Sequence, residues 1–230
     1  MAKRHPVRRS RPAQPPAAED IFVEKTLVVS SWARQNRQAL TLGLVGIAVL
    51  VAGALYYMSY RSAYLEQASV ELERVRQNVA VGETAVATVE LSQYLESFGN
   101  TPYAAEASLL LGELHLATGR PADAVQVLED AADPSKPLGF QATLLLAKAH
   151  EQLGQPQEAE TLLLRAADRA DLEFQVQDAL ADAARIRHQR GDTAGAVQLY
   201  QRILDNLDDE APQRAVYEMR LEEARVQASG

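Results

Sequence analysis

The longest hydrophobic segment of the chain is residues 38–60, which contain no charged side chain. A surface helix of a globular protein shows polar positions every three or four residues, whereas Thr41 is the only polar residue between Ala39 and Tyr56. A helix of this length spans roughly 34 Å, because each residue adds about 1.5 Å, and the hydrocarbon core of a bilayer is about 30 Å thick. The pattern therefore predicts a single transmembrane helix at 38–60.

The same segment allows a second interpretation, a cleaved export signal. The sequence from Ala52 to Ala54 resembles the small-residue cleavage site that follows the apolar part of a signal peptide. The basic region ahead of it is much longer than that of a signal peptide, and the apolar run continues past Ala54 to Tyr60. We therefore expect a retained anchor, and cleavage near Ala54 stays open as the alternative.

Two segments precede the apolar run. Residues 1–18 combine five basic residues with four prolines and few apolar side chains, a composition that predicts a disordered basic tail. Residues 19–37 predict a short amphipathic helix, because the larger apolar side chains fall on one face and charged residues fall opposite. We expect this helix to lie on the membrane surface or to contact a membrane partner through Phe22, Val29 and Trp32.

After residue 61 the pattern changes to amphipathic helices that repeat. Glycines recur every 35 to 37 residues, and each is followed five positions later by alanine and nine positions later by a large apolar residue. A glycine closes one helix in a left-handed conformation and permits a tight turn. The alanine lets the second helix approach the first closely, where the last three first helices present Gly112, Ala147 and Ala184. The recurring glycines are Gly82, Gly119, Gly154 and Gly191.

Self-similarity at this period is typical of stacked helical hairpins. The stretch ASLLLGELHLATGRPADAVQVLEDA is similar to the tetratricopeptide repeat family, although aliphatic residues and histidine replace most of the consensus aromatics of that family. The resemblance implies three well-matched repeats, at 105–136, 140–172 and 177–208.

The two ends of the array differ from the regular repeats. The first unit, 62–98, fits the pattern only in its second helix, and we expect its first helix to continue from the apolar segment. Residues 212–228 include Glu218, Arg220, Glu222, Glu223 and Arg225, which predict a polar cap helix of the kind that keeps the end of a solenoid soluble. The predicted fold is all-α, with an N-terminal single transmembrane helix followed by a tetratricopeptide-like helical-hairpin solenoid over 61–230.

The net charge of the chain changes sign across the apolar segment 38–60. The net charge is −8, yet residues 1–37 carry +5 and residues 61–230 carry −13. Because loops rich in lysine and arginine stay in the cytoplasm, we expect a cytoplasmic N-terminus and a repeat domain on the other side of the membrane. The chain contains no cysteine, which excludes disulfides and thiolate metal sites.

Candidate chemistry is sparse. His115 and His150 occupy equivalent positions one repeat apart, and stacked hairpins hold such positions about 10 Å apart, too far to share a metal ion. The glycines lie at repeat turns rather than in a phosphate-binding loop, and no aromatic residues alternate with the cations of the basic tail. We therefore expect no enzyme, no cofactor, no metal and no nucleic-acid partner.

A stacked array binds protein partners on the surface that its successive first helices form. If the tetratricopeptide resemblance holds position by position, carboxylates and leucines alternate along that groove. This composition suits extended or helical protein segments with apolar anchors and some positive charge. We expect about half of the groove residues to be accessible to a partner and the others to pack against neighbouring helices. The predicted groove residues are Glu106, Leu109, Glu113, Leu116, Gln141, Leu144, Lys148, Glu151, Asp178, Ala181 and Arg185.

The order of elements resembles one family more closely. An acidic residue, an amphipathic helix ending in WARQNRQAL, a single span, a short aromatic exit and about four degenerate repeats are similar in layout to the ancillary SecYEG translocon subunit family of bacterial inner-membrane proteins, across roughly residues 19–228. The resemblance implies a periplasmic repeat domain beside the protein-export channel. Its implied partners are translocon subunits, exported chains or periplasmic chaperones. Residues 1–18 are not part of that pattern.

Two further hypotheses remain at this point. The first is a scaffold for cell-division or outer-membrane assembly complexes, because the repeats are generic. The second is a structural homo-oligomer held together by the span, in which Ala48 and Ala52 show a small-xxx-small spacing. The oligomeric state is left open by the sequence.

Overall fold

The computed structural model describes residues 35–133, 136 and 138–228. The chain divides into two compact units, Met1–Ser62 and Ala63–Gly230. Every regular element within the described residues is an α-helix, which confirms the predicted all-α class. The helices are α1 (Arg37–Ala80), α2 (Thr84–Phe98), α3 (Ala104–Ala117), α4 (Pro121–Leu128), α5 (Gly139–Gln152), α6 (Pro156–Arg169), α7 (Glu173–Gln189), α8 (Thr193–Asp205) and α9 (Arg214–Ala228).

Helix α1 is continuous over 44 residues, so the first helix of the first repeat follows the apolar segment without a break, as predicted. The large side chains of that segment are exposed, with Leu42 at 74% and Leu50 at 73%. In the described part of the chain, α1 is the one helix whose length and apolar composition are sufficient to cross a membrane. The transmembrane assignment and the domain boundaries at residues 18, 37 and 60 stay predictions.

The repeat domain consists of helical hairpins. Their first helices are α1, α3, α5 and α7, and their second helices are α2, α4, α6 and α8. Four glycines end the first helices at positive φ: 82° at Gly82, 69° at Gly119, 73° at Gly154 and 83° at Gly191. Left-handed backbone is costly for residues that carry a Cβ atom. The predicted role of the recurring glycine is therefore confirmed.

Small residues allow the two helices of each hairpin to pack closely together. A Cβ atom on Gly112 would lie 2.8 Å from the side chain of Leu128, which is itself fully buried in the second helix. Ala147 and Ala184 occupy the equivalent positions of the next two hairpins and are 2% and 0% exposed. In the first of these hairpins the residue nine positions after the turn glycine thus packs on the small residue of the first helix, and the alanines five positions after the four glycines are 0% exposed.

Apolar side chains from neighbouring hairpins form the core. One cluster joins α1, α2 and α3, a second joins α3, α4 and α5, and the largest joins α5 to α9. Charged pairs add links outside the apolar contacts. Glu160 of α6 accepts hydrogen bonds of 2.7 Å from both Arg187 and Arg190, the second of which directly follows α7. Because the main contacts between the helices of 84–228 join consecutive helices, and α3 also packs on α5, the stack has the solenoid organisation that the period predicts.

The segments that start and end the helices follow local rules. Pro121 and Pro156 stand at the first positions of α4 and α6, where the missing N–H is not needed. Asp192 caps α8 by accepting a 2.9 Å hydrogen bond from the backbone N–H of Gly195. Leu138, before α5, has a φ of 66° without being glycine. No sequence signal predicted this conformation.

Two predictions concern segments that the structure does not describe. The basic tail at 1–18 lies outside the described residues. The amphipathic helix predicted at 19–37 lies outside them up to residue 34, and so do Phe22, Val29 and Trp32 of its membrane-partner face.

Candidate functional site in the repeat groove

The predicted groove residues occupy recurring positions on the first helices. They lie 13, 10, 6 and 3 residues before the turn glycine of their hairpin, and we call these the groove positions. On α3 they are Glu106, Leu109, Glu113 and Leu116; on α5, Gln141, Leu144, Lys148 and Glu151; and on α7, Asp178, Ala181 and Arg185, with His188 as the fourth.

The structure brings four of these residues together around one depression between α5 and α7, of about 570 Å³. Leu144, Lys148 and Glu151 line its α5 side, and Arg185 lines its α7 side. Leu163 of α6, which is 2% exposed, contributes to the lining. The depression therefore offers an apolar surface with charged groups at its rim.

Arg185 is the electrostatic centre of this depression. Its two terminal nitrogens donate to the two carboxylate oxygens of Glu151 at 2.7 and 2.8 Å, and it donates to Asp182 one turn earlier at 3.3 Å. The hydrogen bonding that Arg185 donates to Glu151 is the main reason that the pKa of Arg185 is raised above its ordinary value. A two-point contact sets the orientation of the guanidinium plane relative to the carboxylate plane. Because Arg185 lies on α7 and Glu151 lies on α5, this contact holds the two helices in one geometry at the groove.

Other charges along the groove lack such partners. Lys148 makes no ion pair within the described residues, and neither do Glu113 and Asp178. The pKa of Asp178 is raised, first by burial of the carboxyl group and then by the negative charge of Asp182. These exposed charges remain available to a partner.

The groove positions of α3 have a different environment. Leu116 is 7% exposed and belongs to the cluster formed by α3, α4 and α5, and Leu109 packs against the same cluster. The Glu106 carboxylate pairs with the guanidinium of Arg76 on α1. Glu113 and Gln141 are exposed but do not line the α5–α7 depression. The structure thus gathers part of the predicted set in one place and uses another part to hold the hairpins together.

A second depression, of about 330 Å³, was not predicted from the sequence. It lies between α7 and α9 and shares Asp182 and Arg185 with the first depression. Tyr200 of α8 and Tyr217 of α9 contribute aromatic rings, and burial raises the pKa of both phenols. Its other lining residues are Ala181, His188, Val216, Arg220, Glu223 and Ala224.

The equivalent histidines have ordinary structural environments. His115 is 6% exposed, and its Nδ1 atom has no hydrogen-bond partner. Burial is the largest cause that lowers the pKa of this imidazole. His150 lies closer to the surface, with its Nδ1 atom 2.7 Å from the side-chain oxygen of Gln155. Among the described residues, no group of three or more potential ligands could hold a metal ion.

The sequence matches the family model of the tetratricopeptide repeat-like domain over residues 30–226. The chain belongs to the tetratricopeptide repeat-like domain family. Since arrays of this kind are typically non-catalytic scaffolds that bind other proteins, the repeat domain is a protein–protein interaction module.

Solved structures show the same fold. The tetratricopeptide-like repeats of a Podospora anserina kinesin light chain are 20% identical, with a TM-score of 0.57 over 71% of this chain and 87% of theirs. MamA is 18% identical, with a TM-score of 0.57 over 71% of this chain and 84% of its own. A tetratricopeptide repeat protein from Parabacteroides merdae is 16% identical, with a TM-score of 0.58 over 71% and 62%, respectively. No curated protein matches the sequence.

Proposed function

We propose that this protein is a single-pass protein of the bacterial inner membrane whose periplasmic repeat domain binds protein partners of the export translocon. In this proposal residues 38–60 cross the membrane, the N-terminus lies in the cytoplasm, and the groove binds exported chains or periplasmic chaperones. The observation that supports it most strongly is the combination, in one chain, of an exposed apolar helix and an open groove between α5 and α7.

The membrane part of the proposal draws on composition. The exposed apolar side chains of α1 have no contacts in the described structure that would bury them, and exposing such a segment to water costs about 25 cal/mol per Å². The basic residues before it and the acidic residues after it favour the stated orientation. The layout from WARQNRQAL through the repeats supports the translocon as the site of action, through its resemblance to the ancillary SecYEG subunits.

The lining of the depression between α5 and α7 supports the groove function. The depression between α5 and α7 combines the apolar surface of Leu144 with the free ammonium group of Lys148. The Arg185–Glu151 contact fixes its width. A surface that is preformed in this way loses little conformational entropy when it binds a protein segment.

The test is photo-crosslinking in intact membranes. A photoreactive amino acid replaces Trp32 in one variant and Leu144 in another, and mass spectrometry identifies the adducts. We expect translocon subunits at Trp32, and exported chains or periplasmic chaperones at Leu144. A matched control carries the probe at Glu158, which is exposed on the second helix α6, and should yield none of these adducts.

The outcomes separate the competing functions. Cell-division or outer-membrane assembly proteins at both probes would replace the export function with a scaffold in that process. Self-adducts alone would indicate a structural homo-oligomer. Equal labelling of export proteins from Glu158 and Leu144 would show that the groove is not the binding surface.

A further inference from the structure

The last helix, α9, repeats the spacing of a first helix. In α7, the buried residues Ala179, Ala183 and Ile186 are separated by four and three positions and face the core. In α9, Tyr217, Leu221 and Ala224 have the same separation and pack on the same cluster. Helix α9 therefore occupies the place of a fifth first helix, which has no second helix after it in the described residues.

This equivalence assigns groove positions to α9. Asp178 directly precedes the first core residue of α7, and Val216 directly precedes that of α9. By the same register Met219 corresponds to Ala181, and Glu223 corresponds to Arg185. Val216 is 51% exposed and Met219 is 58% exposed. A helix that serves only as a polar cap has no need of large apolar side chains at these positions, because exposing them to water is unfavourable.

The second depression confirms that α9 faces the groove. Val216 and Glu223 line it together with Ala181 and Arg185 of α7. Because Asp182 and Arg185 belong to both depressions, the surface continues from α5 across α7 to α9. Arg220 pairs with Glu223 at 3.2 Å, so α9 adds an apolar surface without an unpaired charge at that point.

Charge indicates what binds beside this apolar surface. The carboxylate of Asp178 has no cation partner among the described residues and is repelled by Asp182. It is also close enough to Tyr217 to raise the pKa of that phenol, second to burial. A lysine or arginine of a partner would offset the repulsion between Asp178 and Asp182, and the repeat domain as a whole is strongly acidic.

We propose that α9 is the last wall of the groove, and that α7 and α9 together bind an apolar side chain of a partner polypeptide beside a lysine or arginine that pairs with Asp178. This inference rests on the proposed groove function and names the chemistry of its ligand. Neighbouring first helices lie about 10 Å apart, and an extended chain advances about 3.3 Å per residue. An extended partner segment would therefore carry two apolar side chains roughly three residues apart, one for each depression.

The experiment uses the full chain in zwitterionic lipid nanodiscs and three fluorescent peptides of twelve residues on a glycine–serine background. The first peptide carries two Leu–Lys pairs three residues apart, the second carries Leu–Glu pairs, and the third carries Ser–Lys pairs. Fluorescence anisotropy measures the affinity, and empty nanodiscs provide the blank. We expect the Leu–Lys peptide to bind at least tenfold more tightly than either of the others.

Substitutions then assign the binding site. Val216→Glu should weaken Leu–Lys binding at least tenfold, because a carboxylate replaces an apolar side chain that lines the second depression. Asp178→Lys should reverse the preference, so that the Leu–Glu peptide binds more tightly than the Leu–Lys peptide. The control Val89→Glu alters a side chain of similar exposure, 56%, on α2, and it should leave the affinity unchanged. Unchanged thermal melting by circular dichroism excludes unfolding as the cause.

Failure of the inference is distinguishable from failure of the proposed function. If Leu144→Glu weakens binding while Val216→Glu changes it less than twofold, the groove function stands and the role of α9 is wrong. Equal affinity for Leu–Lys and Leu–Glu peptides, or no Leu–Lys binding up to about 1 mM, also overturns the inference. Loss of self-association in Val216→Glu with unchanged peptide affinity would show that a second copy covers α9, which overturns it as well.

Discussion

Helices α3 and α7 are the first helices of two hairpins that are separated by the α5–α6 hairpin, yet their groove positions serve different ends. On α3, Leu116 is buried in the core and Glu106 is paired with Arg76, and α3 packs directly on α5. On α7, Arg185 borders two open depressions. The second helix α4 has 8 residues where α6 has 14. The comparison shows that position in the repeat determines which way a side chain points, while its neighbours determine whether it reaches solvent.

The largest expected effect separates the core from the groove by stability. Leu116→Ala should destabilise the repeat domain by about 2–5 kcal/mol, because it removes buried methyl groups and leaves a cavity. Leu144 is only half-buried beside the open depression, so Leu144→Ala should cost about 1 kcal/mol. Chemical denaturation of the full chain in nanodiscs, followed by circular dichroism, measures both variants. Equal losses would contradict the distinction drawn between α3 and α5–α7.

The sequence predicts the features of this fold that depend on a few neighbouring residues, and it does not predict those that depend on the packing of distant helices. Gly191 requires a left-handed turn and Ala184 a close helix contact, and both requirements are visible in the spacing alone. Whether Leu116 or Leu144 remains accessible depends on helix lengths and on the neighbouring hairpin, which a repeat pattern does not encode. The sequence predicts a polar cap at 212–228 because this segment contains several charged residues.

The groove role of α9 nevertheless had a signal in the sequence. The separation of Tyr217, Leu221 and Ala224 is that of the core residues of a first helix. Reading this separation as a fifth first helix would have placed Val216 and Met219 at groove positions. The composition of α9 predicts a polar cap and its spacing predicts a first helix, so composition alone does not predict the second depression.

A smaller effect compares the two ion pairs that link first helices. Arg185 contacts Glu151 through both terminal nitrogens, whereas Arg76 contacts Glu106 through one nitrogen and also pairs with Glu73. A double-mutant cycle for Arg185 and Glu151 should give a coupling of about 1 kcal/mol, and the Arg76–Glu106 cycle about 0.3 kcal/mol, because partly exposed pairs are screened by solvent.

The control for this comparison is Arg185→Lys, which keeps the charge but cannot make the two-point contact. It should lose most of the Glu151 coupling, as measured by denaturant unfolding. Arg76→Lys should retain most of its smaller coupling. Equal coupling energies in the two cycles would show that the fork geometry adds nothing at the groove.

The smallest expected effect is the pH dependence of stability that comes from the buried His115. The pKa of His115 lies below its ordinary value of 6.5, first because of burial and then because of the positive charge of Arg120, with Asp123 opposing the shift. Between 6.5 and the lower native value, the unfolded chain binds a proton that the native chain does not. The free energy of unfolding therefore falls as pH drops below 6.5 and continues to fall until the native pKa is passed. His115→Leu should reduce the difference in melting temperature between pH 7.5 and pH 5.5, because it removes the group whose pKa is lowered in the native chain. An unchanged difference in His115→Leu would show that other groups control the acid sensitivity.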